Sequence, residues 1–310
     1  MSAETRQELL ACTALVFATL FWAGNAVTAR GLVGEVPPMA LSFWRWALAF
    51  LLLAPFALPH LRQARPTICT YWRRFALLAF LSAGAFNTLL YLAAQTTTAV
   101  NINLVTAAMP VFVGLFAFAI GRERLRQRQV LGIFITVPGT LLVISQGSLD
   151  VLLTIAFRPG DLWMLLAVSC WALYSVLLRR LHPNVHPLAL LLVIIAMALP
   201  MVLPAYVLEL ALGYHFTPSL QTLPPLLYVA IFPSILSYLG WNYGVSVLGP
   251  ARSSMFMYLL PVFGAVLAML FLGERLKVYH AMGAVLILWG LYLATRPAAV
   301  AGGSQPAREA

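Results

Sequence analysis

Asparagine and tyrosine occur as matched pairs in two apolar stretches, and both residue types can hydrogen-bond a polar solute without burying a charge. Asn87 and Tyr91 are four residues apart, which places them on one face of a helix. Tyr238 and Asn242 repeat this spacing 151 residues later, with the amide and the phenol exchanged. These groups suit the carboxylate and ammonium of a zwitterion, so we predict a substrate site here. Hydrogen bonding between helices is the alternative.

Aromatic residues lie in the stretch that carries Tyr238 and Asn242, and in two further apolar stretches that match each other between the two halves. We predict that they line a cavity for apolar or aromatic solutes, with ordinary helix packing as the alternative. The proposed wall comprises Trp22, Asn25, Trp171, Tyr174 and Trp241. Three further tryptophans are interpreted as residues of the membrane interface, where this residue type is common; they are Trp44, Trp46 and Trp163.

One basic residue lies well inside a predicted helix. Arg45 follows Pro38 by seven residues, about 10 Å along a helix axis, and the matching residue of the second half is Ile194. An ionisable group inside a membrane is a functional candidate, and a substrate carboxylate is the partner we expect for it. An arginine that snorkels to the outer surface beside Trp44 and Trp46 is the alternative.

Two prolines lie in the middle of matching apolar segments. Pro110 and Pro261 each remove a backbone donor and disfavour a straight helix. Because the repeat places them equivalently, we predict that they act as hinges. Static kinks are the alternative.

No carboxylate falls in the middle of an apolar segment. All nine Asp and Glu residues lie at segment ends, in loops or in the tails. Membrane carboxylates relay protons in many pumps, so we expect neither carboxylate-dependent proton antiport nor strict selectivity for organic cations. The five His residues lie near segment ends and no Cys-x-x-Cys occurs. We therefore predict no catalytic set, no metal site and no cofactor.

The composition indicates that membrane helices position these residues. Of 310 residues, 62% are hydrophobic and 9% are charged, against about 25% charged in soluble domains. Ten apolar segments are long enough to cross a bilayer of about 30 Å, where the backbone must be helical. They are Leu9–Ala29, Pro38–Leu58, Phe75–Ala94, Ala99–Ile120, Val130–Ser145, Asp161–Leu178, Leu188–Leu208, Leu226–Val247, Ala251–Leu272 and Tyr279–Thr295.

The sequence repeats itself at half its length, which is a strong signal of architecture. Three features recur 151 residues later: Pro110-Val111-Phe112 as Pro261-Val262-Phe263, Glu123-Arg124-Leu125 as Glu274-Arg275-Leu276, and the pair Gly132 and Gly139 as Gly283 and Gly290. The glycines suit close helix packing or a dimer surface. We predict a first repeat over residues 1–146, a second over 147–297 and a disordered tail over 298–310.

Each half contains five predicted helices, an odd number, so the two copies cross the membrane in opposite senses. We therefore predict an all-α polytopic membrane protein with ten transmembrane helices in an inverted five-plus-five repeat. Most Lys and Arg residues fall in loops that are cytoplasmic when both termini are cytoplasmic. The net charge of +10 is explained by these loops, so no nucleic-acid partner is expected.

Two five-helix halves with Pro-Val-Phe, Glu-Arg-Leu and spaced glycines resemble the EamA type of the drug/metabolite transporter superfamily. The resemblance extends from about Leu9 to Arg296, and the chain looks most like bacterial exporters of amino acids, aromatic ones included. It implies a central cavity, alternating access and a place in a bacterial inner membrane.

We accordingly predict a facilitative exporter of amino acids, with hydrophobic and aromatic ones favoured, and not an enzyme. One alternative is a carrier for another solute, such as a sugar phosphate, a nucleotide conjugate or a drug. Another is a non-transporting membrane scaffold or a lipid-modifying enzyme. The expected partners are a small-molecule substrate and the lipid bilayer, with the chain a monomer or a weak homodimer.

Overall fold

The computed structural model describes residues 3–32, 34–121, 125–181, 185–273, 275 and 277–295. These residues form helices and connecting segments, with no strand among them. Six of the helices keep one helix type throughout: α1 (Ala3–Gly31), α2 (Pro38–Thr70), α5 (Gln127–Ile144), α6 (Pro159–Leu181), α7 (Pro187–Ala211) and α10 (Val278–Thr295).

Four helices change type or break along their length. In α3 and α8 a π-helical segment is inserted, and α4 and α9 are interrupted near their first third. Their parts are Trp72–Ala79, π-helical Phe80–Phe86 and Asn87–Thr96 in α3; Ala99–Ala107 and Met109–Gly121 in α4; Leu223–Val229, π-helical Ala230–Leu236 and Ser237–Leu248 in α8; and Pro250–Ser254, 3-10-helical Met255–Tyr258 and Leu259–Leu272 in α9. A short helix, Leu149–Leu153, follows α5.

Nine helical stretches of the described residues are long and apolar enough to cross a membrane, judged by length and composition. The all-helical, multi-pass membrane architecture expected from the sequence is therefore confirmed. The third predicted segment lies on α3, which carries Arg73, Arg74 and Asn87 and is not one of the nine. A tenth crossing at α3 stays a prediction.

Equivalent helices of the two halves make equivalent contacts. Helix α1 packs on α8 and α9, and α6 packs on α3 and α4. Likewise α2 contacts α7 and α8, while α7 contacts α2 and α3, and α5 packs on α10. If each helix is replaced by its equivalent in the other half, five helices away in the chain, the same set of contacts results. The internal repeat of the sequence is thus also a repeat of the packing.

Glycines bring the backbones of α5 and α10 together. A Cβ on Gly132 would lie 2.7 Å from the carbonyl oxygen of Gly290, and one on Gly139 would lie 2.9 Å from that of Gly283. Because the first glycine of each helix faces the second of the other, these equivalent helices run antiparallel. Small residues allow such close approach. The glycine face is buried within one chain, so its interpretation as a dimer surface is wrong.

Helices α2 and α7 form the second self-equivalent pair, and a residue in the second half of each contacts the start of the other. The Glu209 carboxylate of α7 accepts hydrogen bonds from the backbone N–H groups of Met39 at 3.0 Å and Ala40 at 2.7 Å. The equivalent residue of α2 is His60, whose ring stacks on His186, the N-cap of α7, with centroids 3.6 Å apart. A carboxylate therefore stabilises one helix start and an aromatic stack covers the other.

Both central prolines follow an interruption of their helix. Helix α4 breaks at Ala108, just before Pro110, and the 3-10 turn of α9 ends at Tyr258, just before Pro261. Irregular backbone at proline is expected, because proline lacks the N–H that the preceding turn would use. The equivalent placement agrees with a paired role, and the hinge function stays a prediction.

Several sequence features fall outside the described residues. They include Glu123 and Arg124 of the first tripeptide, Glu274 and Leu276 of the second, and residues 296–310 with the predicted tail. The repeat limits at 1–146 and 147–297 also stay predictions.

Replacement of Gly290 by alanine should weaken the α5–α10 contact, because its Cβ would lie 2.7 Å from the Gly132 carbonyl oxygen. We expect the free energy of unfolding, measured by SDS titration, to fall by about 1–3 kcal/mol. Gly264→Ala in α9 is the control, since no atom lies within 4 Å of its Cβ and alanine is the better helix former. Equal stability of the two variants would contradict this view of the interface.

Candidate functional site

Four large aromatic side chains meet where α1, α6 and α8 come together. The ring of Trp22 lies 5.3 Å from Trp171, 5.5 Å from Trp241 and 6.2 Å from Tyr238, measured between centroids. Trp171 also lies 5.4 Å from Tyr238, nearly perpendicular to it. We call these four residues the central aromatic cluster. It joins the first half, through α1, to the second half, through α6 and α8.

The predicted amide of the second half lies beside this cluster. Asn242 accepts a hydrogen bond at 2.7 Å from the hydroxyl of Tyr174, and both side chains are buried. At the neighbouring position of each helix, the indole N–H of Trp241 donates to Ser175 Oγ at 3.2 Å. Helices α6 and α8 are therefore cross-linked by two polar contacts at the level of the cluster. Tyr174 and Asn242, two of the site residues predicted from the sequence, are therefore in direct contact.

The predicted amide of the first half reaches the same place from α3. Asn87 is buried, its Nδ2 donates to the carbonyl oxygen of Ala83 at 3.4 Å, and its amide also interacts with the hydroxyl of Tyr238. Asn87 and Tyr238, equivalent in the repeat, thus meet directly. The side chain of Tyr91 lies outside the described part of the structure. Asn25 is half-buried, and no side-chain hydrogen bond joins it to another described residue.

The π-helical segment of α8 supplies polar atoms to the cluster. A π-turn widens the helix and weakens its regular hydrogen-bond ladder, a feature often found at functional sites. Here the carbonyl oxygen of Pro233 accepts a hydrogen bond from the indole of Trp22 at 3.0 Å. The next residue, Ser234, is fully buried and donates to the Val229 carbonyl at 2.7 Å. The hydrogen bond between Trp22 and Pro233 therefore joins α1 to α8.

Arg45 extends the site to α2. The residue is 3% exposed, its Nε donates to Ser234 Oγ at 3.0 Å, and its guanidinium lies near the hydroxyl of Tyr238. Its Cζ lies 4.8 Å from the ring centroid of Trp46. The side chain therefore turns into the bundle instead of reaching the outer surface.

The interfacial interpretation of Trp46 is wrong. This residue is fully buried, and its ring lies edge-on to Tyr238 with centroids 5.2 Å apart. The other two tryptophans assigned to the interface differ from it, because Trp163 is 40% exposed and Trp44 is half-buried and bonded to the Tyr206 hydroxyl. Trp46 and Ser234 are site residues that the sequence reasoning missed. In the sequence, Ser234 could have been identified as a polar residue that follows a proline inside an apolar segment.

Hydrogen-bond donors outnumber their partners around Tyr238. Three buried donors form no hydrogen bond with any described residue: the indole N–H groups of Trp46 and Trp171 and the Nδ2 of Asn242. Such groups are rare in proteins because leaving them unpaired is costly. The described residues contain no cluster of three or more His, Cys, Asp or Glu that could hold a metal ion. The site can therefore offer donors and aromatic surface to a ligand.

Comparison with known proteins gives a consistent result over the whole chain. The model of the EamA-like transporter family matches residues 9–145 and again 158–296. A relative from Bacillus subtilis (strain 168), "Uncharacterized transporter YyaM", is 30% identical over 89% of this chain and 90% of its own. A "Probable amino-acid metabolite efflux pump" from Salmonella typhimurium is 29% identical over 88% of this chain and 90% of its own.

One solved crystal structure superimposes with a TM-score of 0.74 at 19% identity. It covers 94% of this chain and 96% of that chain. At this identity the match shows the fold alone.

Replacement of Tyr174 by phenylalanine should destabilise the α6–α8 contact. The variant leaves the buried Oδ1 of Asn242 without its donor, which costs about 1–3 kcal/mol of unfolding free energy. Tyr243→Phe on α8 is the matched control, because that hydroxyl is half-buried and bonds to no described residue. A similar loss in both variants, measured by SDS titration, would contradict the assigned hydrogen bond.

Proposed function

Because the chain belongs to the EamA-like transporter family, we propose that it exports amino acids across a bacterial inner membrane and favours hydrophobic and aromatic ones. The chain is a membrane transporter, and the relatives named above are called transporters or efflux pumps. The observation that carries the choice of substrate is the central aromatic cluster with Asn87 and Asn242 beside it. Aromatic rings suit an apolar side chain, and the amides suit the polar atoms of an amino acid.

The proposed mechanism is alternating access by movement of the two halves about this cluster. In inverted-repeat carriers the substrate site lies near the bilayer midplane, between the repeats. The cluster closes that region, since Trp171, Tyr238 and Trp241 are buried against one another. A substrate enters when these rings separate on one side. The paired irregularities at Pro110 and Pro261 are the proposed hinges.

The α5–α10 contact constrains which helices can move. Its backbone-to-backbone approach at glycines leaves little room for sliding. Helices α2 and α7 are instead joined through side chains, by Glu209 and by the stacked His60 and His186. We propose that α5 and α10 stay together while access alternates elsewhere. Ten crossings with both termini in the cytoplasm complete the proposed topology.

The proposed mode is facilitative. The described carboxylates that are buried, Asp161 and Glu209, lie at helix ends and bond to neighbouring helices or backbone. Neither is placed to carry a proton through the middle of the bundle. Arg45 is the single buried cation among the residues that the structure describes, which suits one carboxylate better than a sugar phosphate or a nucleotide conjugate with several negative charges.

Loss of either central amide should slow transport. We expect Asn87→Leu and Asn242→Leu each to lower the rate of labelled phenylalanine efflux from proteoliposomes by about tenfold or more, since buried hydrogen bonds to charged groups are strong. Asn103→Leu is the control, because Asn103 is an exposed residue of α4. All variants must remain monodisperse by size-exclusion chromatography.

The same vesicles test the mode and the class of substrate. We expect downhill efflux of phenylalanine and leucine without a pH or sodium gradient. Strict dependence on a gradient would contradict facilitation. Unchanged transport in both amide variants would leave Asn87 and Asn242 as structural residues.

A further inference from the structure

Arg45 is a cation inside the bundle whose charge no described residue balances. It is 3% exposed, and its one side-chain hydrogen bond among the described residues joins Nε to Ser234 Oγ at 3.0 Å. Its two terminal nitrogens, which form the fork that suits a carboxylate, bond to none of the described residues. A charge buried in this way is costly unless it is paired. An anion from outside the chain is the partner that this arrangement lacks.

The buried or ion-paired carboxylates of the described chain are engaged with other groups. Glu209 accepts hydrogen bonds from two backbone N–H groups at the start of α2. Asp161 accepts from Asn101 Nδ2 at 2.8 Å and from the hydroxyl of Thr97. Glu8 forms an ion pair with Arg252 at 2.9 Å. None of the three is bonded to Arg45.

The unpaired donors belong to residues that lie beside Tyr238. Trp46 and Trp171 both lie edge-on to the ring of Tyr238, at 5.2 Å and 5.4 Å, and Asn242 is one helical turn from Tyr238. The ring centroid of Trp46 in turn lies 4.8 Å from the Cζ of Arg45. A cation and three free donors beside one phenol form a site with more donors than acceptors. A carboxylate supplies acceptors, and arginine binds it with two parallel hydrogen bonds.

We propose that this site recognises its substrate through the carboxylate, bound by Arg45, and does not require the ammonium group. The inference rests on the proposed function of the site and widens its substrate class. That class becomes monocarboxylic acids with an apolar or aromatic body, whether or not they carry an amino group. Among the described residues no free carboxylate faces the site, so an ammonium gains only neutral acceptors there.

Three ligands of similar size separate the two recognition modes in the unmodified protein. They are L-phenylalanine, 3-phenylpropionate, which lacks the ammonium, and L-phenylalaninamide, which lacks the carboxylate. Binding is followed by tryptophan fluorescence and by thermal shift of the purified chain. We expect 3-phenylpropionate to bind within about tenfold of phenylalanine, and the amide to bind at least about tenfold more weakly. An amide that binds as well as phenylalanine, or no binding of 3-phenylpropionate, would overturn the proposal.

Variants test the residue itself. Arg45→Gln should weaken 3-phenylpropionate by about tenfold or more and leave the affinity for the amide unchanged. The control is Arg74→Gln, an exposed arginine whose Cζ lies 4.4 Å from the ring centroid of Tyr71; it should change neither affinity. Without ligand, the unfolding temperature of Arg45→Gln should not fall, because a neutral side chain needs no counterion. A lower unfolding temperature with unchanged affinity would make Arg45 a structural residue and overturn its role.

The outcomes distinguish this inference from the proposed function. If vesicles transport no amino acid but the acid binds in an Arg45-dependent way, amino-acid export is wrong and carboxylate recognition stands. If vesicles transport phenylalanine and phenylalaninamide equally, export stands and carboxylate recognition is wrong. Should Arg45→Gln fail to fold, the three-ligand comparison in the unmodified protein decides the question.

Discussion

A buried hydrogen-bond donor finds no acceptor in a membrane interior unless the protein supplies one, and this constraint explains where polar residues lie in this chain. Most buried hydroxyls bond to their own helix, as Thr19, Ser82 and Ser175 do to carbonyl oxygens one turn earlier. The region around Tyr238 departs from this pattern. There a cation and several donors are held together without enough acceptors, which is the arrangement expected of a site that a ligand completes.

The scaffold around this region is symmetric, whereas its chemistry is not. Equivalent positions carry Asn87 and Tyr238 at the centre, and His60 and Glu209 in the second halves of α2 and α7. Arg45 has no charged counterpart in the second half. In the proposed mechanism, symmetric packing lets the two halves exchange roles as access alternates. The unequal side chains would give the proposed substrate, with its polar and apolar ends, one orientation in the site.

The sequence predicted the scaffold better than it predicted the site. Apolar length, repeat spacing and paired glycines depend on local pattern, so all ten segments fall on helices and Gly132, Gly139, Gly283 and Gly290 meet. Trp46 was misassigned because its distance from a predicted membrane edge does not reveal which way the helix faces. The π-helical segments have no recognisable sequence pattern. The hydrogen bonds of Pro233 and Ser234 to Trp22 and Arg45 depend on how α8 packs against α1 and α2.

A crystal structure of the protein with bound L-phenylalanine tests the central claim most directly. The account predicts the phenyl ring against Trp22, Trp171 or Trp241 and the carboxylate oxygens about 3 Å from the terminal nitrogens of Arg45. Phenylalanine bound away from the central aromatic cluster would contradict the account. So would a ligand in the cluster whose carboxylate points away from Arg45.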